Sequence, residues 1–239
     1  MSHKIKLRFF QPSWFQIQTE NLVIYIDPAY LKKYYTNFPT NKLYTTWPQP
    51  IDGLPDESLP KADLIFITHH HKDHCKKVTI ERLRKKDTIL IAPKICKKEL
   101  GKVDAEVQPG DIRVIKGVTF SVTHAYNTPN GSSTKKQHKK EHGVGYILSI
   151  KNTSIYHAGD TDLIPEMHNF SKLDIALLPV GGTFTMNSDE AIQAVKILKP
   201  KVVIPMHNMK TSAIAFAEAV NKETNSIAIP LLIGEEYYI

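Results

Sequence analysis

Residues 69–74 read His-His-His-Lys-Asp-His, and within them His69-x-His71-x-Asp73-His74 sets out a run of metal-binding side chains. Neutral imidazole and carboxylate are the donors that borderline divalent ions such as zinc prefer. Packed this closely, such groups crowd one another unless a cation holds them. More donors stand far along the chain: His124, Asp160 and His207 each stand at the end of an expected strand. A carboxylate can bridge two cations through its two oxygens, which imidazole cannot do, so Asp160 is the candidate bridge. Cys75 adjoins the motif, but nothing pairs with it at zinc-ribbon spacing, and it is expected to pack at a helix start.

The elements that must position these residues are legible from apolar runs. Leu64–Thr68 reads as a buried strand that delivers the motif, and Leu22–Ile26 as a strand ending in Asp27. Asp27 either supports the ligands or caps a turn. Strands over 5–10 and 14–18 precede them. A helix over 76–86 follows the motif, with Val78, Ile80 and Leu83 inward, then a strand over 88–92 and a short helix from Pro93 to Leu100. Strands at 113–115 and 118–123 lead to His124. Those at 145–150 and 153–156 lead to His157-Ala158-Gly159-Asp160-Thr161. Gly159 lets the chain turn tightly before Asp160, while His157 either supports the turn or is a half-buried strand residue. A strand over 173–180 enters Gly181-Gly182-Thr183-Phe184, which either brings backbone close to a substrate or merely turns. Asn187 and Glu190 mark the start of a helix whose inner face is Ala191, Val195 and Leu198. A strand over 202–206 then delivers His207, and a helix over 211–222 and strands near 227–233 and 237–239 close the chain.

The bulk composition narrows the class. No apolar run is long enough to span a membrane, and the N-terminus lacks the apolar stretch of a signal peptide. Two cysteines are too few for a disulfide scaffold, and a cytoplasmic location is the simplest expectation. The net charge of +7 suits an anionic substrate or nucleic acid, but carries weight only where it clusters. No internal linker interrupts 1–239, which is expected to form one domain. Residues 29–60 are rich in proline and aromatic residues, and form either a flap shaping a pocket or subunit contact, or a loop packed by its own rings. Residues 128–142 hold Lys135, Lys136, Lys139 and Lys140 and are expected to be a mobile, solvated surface loop, with an anion-attracting lid as the alternative.

Taken together, His69-x-His71-x-Asp73-His74, His124, Gly159-Asp160-Thr161 and His207 resemble the metallo-β-lactamase superfamily, in that family's order and over nearly the whole chain. The phrases His157-Ala158-Gly159-Asp160-Thr161 and Pro205-Met206-His207 resemble its group of hydrolases related to the ascorbate-6-phosphate lactonase. The resemblance implies an α/β fold, a four-layer αβ/βα sandwich with two mixed β-sheets. It implies two divalent ions, zinc by donor type, with Mn2+ or Fe2+ as alternatives. His69, His71 and His124 would hold the first, Asp73, His74 and His207 the second, and Asp160 would bridge them. A water shared by two cations ionises near neutral pH and attacks a carbonyl or phosphoryl centre, with Asp73 orienting it. No Gly-x-Ser-x-Gly elbow competes with that route, and histidine at position 71, where the di-iron branch of the superfamily would carry glutamate, argues against redox chemistry. The expected activity is hydrolysis of an ester, lactone or phosphoester in a small substrate. The alternatives are a nuclease or phosphodiesterase acting on RNA or DNA, and a metal-binding protein without turnover. A homo-oligomer is compatible with the aromatic segment.

Overall fold

The computed structural model describes residues 5–31, 55–56, 58–170, 172–209 and 211–239. Most of the aromatic 29–60 segment lies outside them. The chain divides into two compact units, Met1–Glu106 with Leu231–Ile239, and Val107–Pro230.

In the first unit, β1 (Lys6–Phe10), β2 (Trp14–Gln18) and β3 (Val23–Ile26) pair antiparallel in succession. β4 (Leu64–Phe66) and β5 (Ile89–Pro93) extend the sheet in parallel from β3. Every side chain of β4 is buried, as expected of a strand covered on both faces. The edges are β6 (Ala105–Val107) beyond β5 and the last strand, β14 (Glu236–Tyr238), against β1. Phe10, Trp14, Tyr25, Ile65, Ile67 and Leu90 form the core, and Cys75 packs into it, as expected. Helix α1 (Lys77–Leu83) buries Thr79, Ile80 and Leu83. Ile80 and Leu83 face inward as expected, but Thr79 rather than Val78 completes the inner face. Val78 is only half-buried, and Thr79 Oγ1 instead donates to the Ala29 carbonyl at 2.7 Å. The turn after Pro93 is a 3-10 segment, Lys94–Cys96, followed by α2 (Lys97–Leu100).

In the second unit, β7 (Ile112–Ile115), β8 (Val118–Ala125), β9 (Gly143–Ile150) and β10 (Thr153–His157) pair antiparallel. Then β11 (Ile175–Pro179), β12 (Val202–Met206) and β13 (Ile227–Ala228) add in parallel. Helices α3 (Ser188–Leu198) and α4 (Ala213–Glu223) make the crossovers that parallel pairing demands. Asn187 caps α3, its side chain accepting from Glu190 N at 2.9 Å, and Ala191, Val195 and Leu198 are buried beneath it. The strand expected over 227–233 stops at Ala228, and Pro230 shortly beyond it has no N–H for a ladder. β6 has only three residues, too few to show an alternation in sequence. Among the described residues, no helix is long and apolar enough to cross a membrane.

Parallel neighbours end on the same side of their sheet, which is where open α/β sheets place their ligand-binding loops. In the first unit this brings Asp27, after β3, beside Thr68 and the histidine motif, after β4. In the second it gathers the turns after β10, β11 and β12, which carry Asp160, Gly181 and His207.

Candidate metal centre

In the first unit a single carboxylate organises the motif. Asp27 is fully buried and adopts the left-handed backbone region, at φ 50°. A non-glycine residue held there costs on the order of 1 kcal/mol, and such outliers cluster at functional sites. Asp27 Oδ1 accepts from Thr68 N at 2.7 Å, and Oδ2 accepts from Thr68 Oγ1 at 2.6 Å. Oδ2 also lies 2.7 Å from His74 Nδ1. An ionised carboxylate only accepts, so His74 carries a proton on Nδ1, and in the neutral imidazole its lone pair is on Nε2. The one hydroxyl proton of Thr68 goes to Asp27, so Thr68 Oγ1 accepts from His69 Nδ1 at 3.0 Å. That puts the lone pair of His69 on Nε2, which lies 3.0 Å from His71 Nδ1. His74 Nε2 is 3.7 Å from Asp73 Oδ2. Proton-bearing nitrogens thus face carboxylate and hydroxyl, and lone pairs face other donors, the arrangement of histidines prepared for a cation.

On its flank, burial and then the charge of Lys72 hold the Lys76 ammonium below its ordinary value.

The second unit has the same logic with different partners. Asp160 is buried on the turn after β10, where Gly159 takes φ 65° and donates N–H to His157 Nδ1 at 3.2 Å. His157 is fully buried and holds that turn from its own strand end. His207 follows β12 in the left-handed region, at φ 48°, with Nε2 3.1 Å from Asp160 Oδ2. Gly181, after β11, lies against its carbonyl, and a Cβ there would overlap the His207 oxygen.

A further histidine on this carboxylate comes from the lysine-rich segment. His138 Nε2 lies 3.3 Å from Asp160 Oδ2. His138 Nδ1 donates to the Phe184 carbonyl at 3.0 Å, so in the neutral imidazole Nε2 carries the lone pair. In that form the ring nitrogen and the carboxylate oxygen both offer lone pairs, a donor set that fits a divalent metal.

His124, expected as a ligand at a strand end, is the penultimate residue of β8. Its ring centroid is 6.2 Å from that of Tyr126, and its Nδ1 is buried with no hydrogen-bond partner among the described residues. The histidine that sequence reasoning missed is His138, whose one signal was a histidine inside a run of lysines.

Nor is the segment a loose lysine run. Asp162, fully buried, accepts from Thr128 N at 2.9 Å, Ser133 Oγ at 2.8 Å and Lys136 Nζ at 3.0 Å. Glu190 Oε2 accepts from Ser132 N at 3.1 Å, and Lys135 N donates to Thr183 O at 2.7 Å. Lys140 pairs with Glu166 at 3.0 Å. Burial raises the Glu166 carboxyl, but the hydrogen bonds from Lys140 and Tyr126 outweigh it and hold the group below its ordinary value.

Comparison with known proteins identifies the family. Residues 6–207 match the model of the β-lactamase superfamily domain. The chain belongs to the metallo-β-lactamase superfamily. A UPF0173 metal-dependent hydrolase of Methanosphaera stadtmanae is 28% identical over 249 aligned positions, covering 98% of this chain and 99% of that protein. Another, from Lawsonia intracellularis, is 32% identical over 215, covering 81% and 78%. The crystal structure of a Parabacteroides distasonis protein designated a metal-dependent hydrolase matches with a TM-score of 0.78 at 28% identity, over 95% of this chain and 92% of that one. Igni18, a metallo hydrolase of Ignicoccus hospitalis, matches with a TM-score of 0.73 at 25% identity, over 99% and 98%. The two mixed seven-stranded sheets are those of the superfamily's αβ/βα fold. As a metallo-β-lactamase superfamily member, the chain is a metal-dependent hydrolase with histidine and aspartate side chains able to bind metal.

Proposed function

We propose that the chain works as one hydrolase domain with a binuclear centre, most suited to zinc, and cleaves an ester, lactone or phosphoester bond in a small anionic substrate. The residues that would hold the ions in this reading are His69, His71, Asp73, His74, His138, Asp160 and His207, with Asp160 the candidate bridge. The observation that carries it is His138 Nε2 held 3.3 Å from Asp160 Oδ2 with Nδ1 turned to the Phe184 carbonyl. His124 is the alternative nitrogen donor, as the family order of motifs suggests.

Two bound divalent ions supply Lewis acidity and a water that ionises near neutral pH. The chain supplies the rest. Asp27 and Thr68 hold His74 and His69 with their protons turned away, and the Phe184 carbonyl does the same for His138. Asp73, half-buried beside His74, orients the attacking water through its carboxylate.

The basic charge is the feature that favours a nucleic-acid substrate. Lys136 and Lys140 are committed to Asp162 and Glu166, which weakens that reading. RNA binding that falls steeply with salt would revive it.

Elemental analysis of protein purified without chelator or nickel resin tests the proposal. About two ions per chain are expected, with loss in Asp160→Ala. His138→Ala should lower the content more than His124→Ala, and the reverse order would restore His124 as the ligand. A folded protein that takes up neither zinc nor manganese would sink the catalytic reading.

A further inference from the structure

One side chain governs how His138 is presented. Asn127, just past β8, makes a two-way contact with the His138 backbone. Asn127 N donates to His138 O at 2.8 Å, and Asn127 Oδ1 accepts from His138 N at 2.8 Å. Its other amide atom, Nδ2, donates to the Phe184 carbonyl at 2.8 Å. That carbonyl is the one that accepts from His138 Nδ1. Backbone position, ring orientation and tautomer of His138 therefore all pass through Asn127 or its shared carbonyl.

The remaining anchors of the segment lie to either side. Ser132, Ser133 and Lys136 are tied to Glu190 and Asp162, and Lys140 to Glu166. They hold the segment down, but the clamp on His138 itself is Asn127.

We infer that Asn127 is a positioning residue that prepares His138 to bind metal. The inference rests on the proposed ligand role of His138. The role demands asparagine: one planar group must accept from the His138 N–H and donate to the Phe184 carbonyl. Aspartate has the same shape and keeps the acceptor, but turns a second acceptor on the carbonyl. A residue needed only to shape the turn would tolerate aspartate, whereas one that orients the imidazole would not.

The test is a Co2+ titration of metal-stripped protein, followed by visible absorption, for wild type, Asn127→Asp, Asn127→Ala, His138→Ala and Asn127→Ala/His138→Ala. Both Asn127 variants should weaken Co2+ binding about 10- to 100-fold, the usual cost of losing a residue that orients a ligand. The double variant should bind no more weakly than His138→Ala, because Asn127 acts through that ring. If the Asn127 variants bind like wild type while His138→Ala is weakened, the inference falls and the ligand role of His138 stands. If His138→Ala binds like wild type, the ligand role falls and takes the inference with it. Additive losses with a matching fall in Tm would show a general structural role and overturn it. Should Asn127→Ala not fold, Asn127→Asp and its double variant carry the same comparison.

Discussion

Asp27 Oδ2 lies 2.7 Å from His74 Nδ1 although 47 residues separate them in the chain. β3 and β4 are parallel neighbours, so their ends bring this carboxylate to the motif. Asp27→Asn keeps the shape but not the charge facing the Nδ1 proton. Zinc affinity, read by competition with a chromogenic chelator, should fall about 10- to 100-fold. An unchanged affinity would show that His74 needs no such support.

Asp162 ties down the segment that carries His138. Asp162→Ala leaves Thr128 N and Ser133 without their carboxylate, a loss of about 1–3 kcal/mol of local stability. Limited trypsin digestion should then cut faster after Lys135, Lys136, Lys139 and Lys140, by roughly tenfold or more. Wild-type cleavage rates would mean that the remaining bonds to Glu190 and Thr183 suffice.

Gly181 sits where a methyl group would overlap the His207 carbonyl oxygen and come within 2.9 Å of Met209 Cγ. Backbone has little room to yield, so Gly181→Ala must shift the turn that carries His207. The expected result is a loss of about 1–3 kcal/mol in thermal unfolding, together with lower metal content per chain. A variant that keeps both would show that the turn relaxes without cost.

Burial pushes the Tyr25 hydroxyl well above its ordinary value of 10.0, against smaller opposing effects of Gln16 and Arg8. The unfolded chain loses that proton near the ordinary value, while the folded chain keeps it. Stability from this group is therefore fully present below about pH 10 and falls above it. Urea midpoints measured from neutral pH to about pH 11 should decline, and Tyr25→Phe should flatten the decline. The variant should also start lower, since Tyr25 accepts from Gln16 and donates to Pro60 O, each at 2.9 Å. A decline of the same slope in the variant would place the alkaline effect elsewhere.

What the sequence by itself determined is whatever rests on neighbours along the chain. The motif at 69–74 declares its chemistry because its donors are two residues apart or less. The strand patterns of β3, β4, β10 and β12 are visible for the same reason, as is the Asn187 cap, whose partner is three residues on. Asp160 and His207 are legible because each follows such a strand. The tertiary structure alone decided the rest. Asp27 could equally have capped a turn until parallel pairing of β3 and β4 brought it to Thr68 and His74. His138 looked like part of a solvated lysine run, since its partners Phe184 and Asp160 lie on turns that follow other strands. The ordering of that run depends on Asp162 and Glu190, which its own composition does not reveal. A hydrogen bond between residues distant in sequence leaves no local periodicity, so pattern alone carries no trace of it until the sheet has folded.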